Sequence, residues 1–314
     1  MTRYLSMRML SLVPILLGTS VVVFLLVRLI PGDPVVALLG MEATDEAIAA
    51  LRDRFALDEP LPVQYVAWLG NILTGDFGRS IQSGREVLPL LLDAFLPTLW
   101  LSLAATAVSL LISIPAGVVA ATRRDTAADY SASLLALGGL SMPSFWLGVL
   151  LILAFSIHLP VLPASGYVPP SEDLGAFLRH LILPAITLGT ALAAAVMRMT
   201  RSTMLEVLEA DFVRTARAKG MRRRTVVWRH AFGNARIPIV TLLGIQFGQL
   251  LGGVVITETV FSWPGIGKLT VDAIFARDYP IVQGAVLLTA VLFVLINLVT
   301  DIAYALIDPR LRLA

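Results

Sequence analysis

Along most of this chain apolar residues run unbroken for twenty or more positions, with polar stretches between the runs. The runs cover 9–30, 98–121, 133–159, 178–197, 238–260 and 282–307. At about 1.5 Å per residue each is long enough as a helix to cross a hydrocarbon core of about 30 Å. The pattern predicts an all-α, polytopic membrane protein with six transmembrane helices. Gly138-Gly139 and Pro143 predict a kink near Met142 in the third run, and Pro184 lies inside the fourth. Arg3 and Arg8 precede the first run as they would in a signal peptide. The run is too long for that, and Pro31-Gly32-Asp33-Pro34 offers no small-residue cleavage site, so an uncleaved span is expected, with Arg28 snorkelling at its far end.

The longest polar segment, 31–97, has ten acids against four arginines. Thr44 is placed to cap a helix opening with Asp45-Glu46, and Ile48, Leu51 and Phe55 recur on one face of it. A second short helix is expected from Pro62 to Leu73, ending at Gly75. Together these predict a folded cap between the first two spans. The connection 160–177 is rich in proline, as suits an ordered surface loop.

Composition agrees. The chain has 314 residues, is 57% apolar and 15% charged, and has a mean hydropathy of +0.83; soluble domains carry about 25% charged residues. With no cysteine, disulfides, thiolate metal sites and thiol nucleophiles are excluded. Charge is segregated. If the N-terminus faces the cytoplasm, the inner segments (1–8, 122–132, 198–236 and 308–314) hold 16 of the 24 Lys/Arg, which predicts both termini inside. Ten of these lie in 198–236, against three acids.

Catalytic signatures are missing: there is no HExxH and no GxSxG. Gly267-Lys268 lacks a phosphate loop's surroundings, since Ser262 replaces its first glycine and Leu269 its Ser/Thr. His158, His180 and His230 are too scattered for a shared metal site. Carboxylates within the runs, Glu258 and Asp301, lie near the rims, where the cost of a charge falls. A proton-coupled carrier would hold such groups deeper, which places the energy source outside this chain. Ser109, Ser113, Thr187, Gln246, Gln249 and Asn297 lie at mid-span, either as interhelical hydrogen-bond partners or as the lining of a polar path. Gln246 and Gln249, at i and i+3, are with Asn297 the path candidates.

The basic interval contains Leu205, Leu208, Phe212, Val213 and Ala216 at helical spacing, then Gly220 as a stop and a second helix over 225–235. Composition alone reads it as a solvated loop on anionic lipid. The residues Arg214-Thr215-Ala216-Arg217-Ala218-Lys219-Gly220, however, resemble the "EAA" cytoplasmic loop of permease subunits of ATP-binding-cassette importers, in the dipeptide/oligopeptide/nickel group. Asn234-Ala235-Arg236-Ile237-Pro238 resembles that motif's downstream end. Arg28 to Pro34, Gly75-Asp76-Phe77-Gly78-Arg79-Ser80, Pro97-Thr98-Leu99, Thr257 to Gly265 and Arg277-Asp278-Tyr279-Pro280 resemble other parts of the group's pattern. The motif's glutamate is absent, with Arg214 in its place.

The resemblance implies a first helix and cap over 1–94, a type I permease domain over 95–305 and a cytoplasmic tail over 306–314. It implies one permease subunit of a peptide importer in a bacterial inner membrane, with a nickel importer as the alternative within the group. Arg214, Thr215, Ala216, Arg217, Ala218, Lys219 and Gly220 would form the coupling helix between the fourth and fifth spans. The implied partners are a second similar permease, two cytoplasmic ATPases, an extracytoplasmic substrate-binding protein and membrane lipid, with no nucleic acid, no cofactor and no catalysis by this chain. Outside the group, an ion-coupled carrier or an intramembrane enzyme remains as an alternative from the residues alone.

Overall fold

The computed structural model describes residues 2–29, 44 and 59–307. The helix expected after Thr44, the Pro31–Pro34 motif, the side chains of Arg3, Arg8 and Arg28, and the tail 308–314 lie outside the described residues.

Among the described residues twelve helices follow one another. They are α1 (Thr2–Leu29), α2 (Leu61–Leu73), α3 (Val87–Thr122), α4 (Ala127–Ser141), α5 (Ser144–Ile152), α6 (Leu174–Leu208), α7 (Asp211–Ala218), α8 (Arg223–Thr225), α9 (Phe232–Leu251), α10 (Val255–Val260), α11 (Ile266–Phe275) and α12 (Tyr279–Ile307). A π-helical turn, Leu153–His158, extends α5, and another, Val226–Ala231, joins α8 to α9. Among the described residues there is no β-strand; one isolated bridge pairs Arg79 with Glu86. Among the described residues three helices, α3, α6 and α12, are long and apolar enough to cross a membrane, and the bent pair α4–α5 makes a fourth crossing if counted as one span. Residues Leu12–Leu25 of α1 form a shorter apolar stretch.

The long helices outrun the apolar runs that predict them. Helix α3 starts eleven residues before Thr98 because its Pro97 is tolerated inside a packed helix, and α6 continues to Leu208. The kink expected near Met142 is a full break, with Met142 and Pro143 in extended conformation between α4 and α5. The run 238–260 is not one span. Helix α9 stops at Gly252-Gly253, where Gly253 has φ +96°, and Thr257 to Val260 belong to the separate α10. A Cβ on Gly253 would sit 2.5 Å from the Gly267 Cα, so only glycine fits this crossing.

Helices α3 and α6 form the spine and run in the same direction. A side chain at Gly189 would meet Val108 and the Ala105 carbonyl, and one at Gly117 would meet Thr200 and the Met197 carbonyl. These two glycines let the backbones approach closely. Helix α9 packs antiparallel on α12 through Gly244, Gly248 and Gly252, spaced four residues apart, against Thr300, Phe293, Ile296 and Thr289. Among the described residues three of the core's groups surround the spine. Leu101, Ala105, Phe177, Leu181, Leu188 and Trp263 fill one end, Val118, Ala121, Met204, Val227 and Ala231 fill the other, and Val87, Leu91, Ala273, Ile281 and Ala285 join α3 to α11 and α12.

Candidate functional site

The basic interval folds as a corner at the end of the spine. Helix α6 ends at Leu208, Glu209 and Ala210 turn the chain, and Asp211 opens α7 at the end where an acid favours the helix dipole. The apolar stripe read from the sequence is thus divided between two helices: Leu205 and Leu208 belong to α6, and on α7 only Val213 and Ala216 are buried. Val213 and Ala216 pack against Val226, Val207 and Leu208. Phe212 is 45% exposed. Arg214, Thr215, Arg217, Ala218, Lys219 and Gly220 all face outward. The candidate coupling segment is therefore a short helix with a fixed apolar underside and a free basic surface.

Gly220 ends it with φ +73°, a left-handed conformation in which the Met221 N–H reaches the Ala216 carbonyl at 3.3 Å. A Cβ there would meet nothing within 4 Å. Within this chain, glycine is required by the backbone conformation and not by crowding. The second helix runs from Arg223 into α9, past the expected end at Ala235, and Asn234 donates from Nδ2 to the His230 carbonyl at 2.7 Å.

The turn between α3 and α4 is latched to this corner. Asp129, 2% exposed in the first turn of α4, accepts from Arg201 of α6 at 2.6 Å and 2.7 Å. It also accepts from the Asp125 N–H and the Ser133 hydroxyl. Arg124 reaches Glu209 at 3.4 Å, and Arg223 donates to the Thr122 carbonyl at 3.2 Å. Sequence reasoning missed the pair, whose members are 72 residues apart.

The mid-span candidates separate. Gln246 and Gln249 lie on the side of α9 turned away from the Gly244–Gly248–Gly252 stripe, and hence away from α12, which carries Asn297. Gln249 is exposed, Asn297 is half-buried, and the half-buried Gln246 has a buried Oε1 with no hydrogen-bond partner. Thr187 donates to the Leu183 carbonyl of its own helix. Ser102, Ser109 and Ser113, on one face of α3, are fully buried with hydroxyl oxygens that have no partner. Asp301 is half-buried on α12.

At the opposite end, separate sequence motifs meet. Glu258 of α10 is fully buried. Its Oε1 accepts from the Thr98 hydroxyl at 2.9 Å and its Oε2 from the Lys268 N–H at 2.8 Å. Thr98 in turn accepts from the Ile266 N–H at 2.9 Å. The Trp263 Nε1 donates to the Pro97 carbonyl at 2.9 Å. The Ser80 hydroxyl donates to Asp278 at 2.5 Å, and Gln82 donates to the same oxygen from its backbone. The loop after α5 is pinned here too, by the Gly166 N–H on the Phe261 carbonyl and by Arg179 on the Val161 carbonyl. Glu258 is thus a satisfied structural carboxylate, as the helix-rim reading expects. Among the described residues no three His, Cys, Asp or Glu side chains group to hold a metal.

Comparison with known proteins follows the same outline. The family described as "Binding-protein-dependent transport system inner membrane component" matches residues 113–313, and its N-terminal counterpart matches residues 1–104. The glutathione transport system permease protein GsiC of Salmonella typhimurium is 44% identical over 312 residues, covering 99% of each chain. The di/tripeptide transport system permease protein DppB of Pseudomonas aeruginosa is 45% identical over 333 residues, again covering 99% of each. Among solved structures, an inward-facing form of the MetNI methionine ABC transporter shares the fold, with a TM-score of 0.56 at 18% identity over 70% of this chain and 96% of that one.

Proposed function

This chain belongs to the family of binding-protein-dependent transport system inner membrane components, and from that premise we propose that it is one permease subunit of an ATP-driven importer of peptides. It forms half of the path, beside a second, similar permease. Two cytoplasmic ATPases bind below, an extracytoplasmic binding protein delivers the substrate, and this chain itself hydrolyses nothing. Both termini and the α7 corner face the cytoplasm, as the excess of basic residues favours. The curated relatives carry glutathione or di- and tripeptides in their names, and a short peptide is the substrate class we assign.

The observation that carries the reading is α7: a short helix held from beneath by Val213 and Ala216, basic on its free surface and closed by Gly220. Arginines there are suited to pair with acids on an ATPase rim. The latch through Arg201, Arg124 and Arg223 ties the α3–α4 turn to α6, to the Glu209 turn before α7 and to α8, so a push on α7 reaches the spine through the turns that flank it. In this reading 1–94 is the first span with its cap, 95–305 the permease domain and 306–314 a cytoplasmic tail. Gln249 and Gln246 are the path candidates on this chain, with Asn297 on the neighbouring helix.

Reconstitution in liposomes tests the proposal. The complete complex takes up peptide only with ATP and the binding protein, and the chain alone takes up none. Gly220→Arg is expected to abolish uptake and ATPase docking while the spans still insert. Uptake by the chain alone, driven by a proton gradient, overturns the reading in favour of an ion-coupled carrier.

A further inference from the structure

Helix α2 was expected as part of a polar cap, yet Leu61–Leu73 contains no Asp, Glu, Lys, Arg or His. Three of its large apolar residues share an outward face: Val63 (49% exposed), Val66 (67%) and Leu73 (78%). Such a face on a surface helix marks a contact that the isolated chain leaves open.

The other face fixes the helix to α1. The Tyr65 hydroxyl bonds to the Ser20 hydroxyl at 2.8 Å. The rings of Tyr65 and Trp68 lie 5.3 Å and 5.6 Å from that of Phe24, which is 2% exposed. Ser20 and Phe24 belong to the apolar run 9–30, and Phe24 lies roughly 9 Å below its far end at 1.5 Å per residue. Helix α2 is therefore held below the end of the first span, at the level of Val21, Val22 and Leu25, which are themselves exposed. Its length, about 20 Å, is too short to cross a hydrocarbon core of about 30 Å. Tyr65 and Trp68 are residue types that favour the membrane–water boundary. Immediately after α2 the chain turns polar: Thr74 and Gly75 (φ +89°) end the helix, and Asp76, Arg79 and Glu86 are exposed.

We propose that α2 lies within the outer leaflet, with Val63, Val66 and Leu73 against lipid acyl chains, so that the outer part of this permease is anchored in lipid by α2 as well as by its spans. This rests on the membrane-permease reading and goes beyond it. The occupant is lipid and not the soluble binding protein, because α2 sits at the same level along the first span as the exposed apolar residues of α1.

The chain has no cysteine, so single replacements report cleanly. Val66→Cys and, as a comparison, Thr74→Cys carry a nitroxide in the full complex, with cysteine-free partner subunits, in lipid bilayers. The expected result is that the label at 66 collides with oxygen several-fold more than with a water-soluble nickel chelate, that the label at 74 does the reverse, and that added binding protein changes neither. Equal nickel access at both positions overturns the proposal in favour of an aqueous cap. Shielding of position 66 only when binding protein is added, or a label there immobile and closed to both collision partners, overturns it in favour of a protein contact. ATP-dependent peptide uptake measured on the same vesicles separates failure of this placement from failure of the permease reading.

Discussion

Arg201 grips Asp129 through two parallel hydrogen bonds, Nε to Oδ1 at 2.6 Å and Nη2 to Oδ2 at 2.7 Å. Arginine's planar fork matches a carboxylate in this way, and the pairing holds α4 to α6 in one orientation. Arg201→Ala leaves a carboxylate that is 2% exposed without its counter-charge, and a loss of about 3 kcal/mol is expected. Removing both partners, Asp129→Ala with Arg201→Ala, is expected to cost less than Arg201→Ala alone. Thermal unfolding of the purified complex compares the two. Equal midpoints would show that the pair is not a buried, interdependent unit.

Close approach of the two spine helices is equally testable. The Cβ of Gly189→Ala would lie 2.7 Å from the Ala105 carbonyl oxygen, a backbone atom that cannot rotate away. A cost of about 1–3 kcal/mol is expected for such overpacking. Gly233→Ala, in the first turn of α9, meets nothing within 4 Å. It is expected to be neutral or slightly stabilising, by up to about 1 kcal/mol, because alanine is the better helix former. Monodisperse yield and melting temperature of the two variants decide the point, and similar behaviour would refute the close packing.

Trp263 joins the loop between α10 and α11 to α3 by one hydrogen bond. Trp263→Phe keeps an aromatic ring but leaves the Pro97 carbonyl without its Nε1 donor, at a cost of about 1–3 kcal/mol. Trp228→Phe, at a site 44% exposed, is expected to stay within about 0.5 kcal/mol of the parent. A melting temperature for Trp263→Phe no lower than that for Trp228→Phe would count against the bond's structural role.

The elements legible in the sequence are those set by local chemistry. Long apolar runs announce α3, α6 and α12, Pro143 marks the break between α4 and α5, and Gly220 ends α7 as a C-terminal glycine should. Other features depend on meetings between distant parts of the chain. Hydropathy is continuous across Gly252-Gly253, so the end of α9 shows only in the positive φ that brings Gly253 against Gly267. Position within an apolar run placed Glu258 at a rim, but only the fold supplies the Thr98 hydroxyl and the Lys268 N–H that satisfy it. Helical periodicity ran α6 into α7 because the stripe from Leu205 to Ala216 keeps its spacing through a turn at Glu209-Ala210. Of the candidate site, the basic composition and the glycine stop were readable; the Asp129–Arg201 latch was not, since nothing local pairs two residues on different helices.

The hydrogen bonds that fasten α3 and the turn before it also set an order of assembly. Thr98 and Pro97 wait for Glu258 and Trp263, 160 and 166 residues later, and Ser80 waits for Asp278, 198 residues later. At a synthesis rate of about 5–20 residues per second, this part of α3 stays unfastened for roughly 8–33 seconds while the rest of the chain is translated. Until then the nascent protein holds α3 through its packing on α4, α6 and α9, so this end closes last.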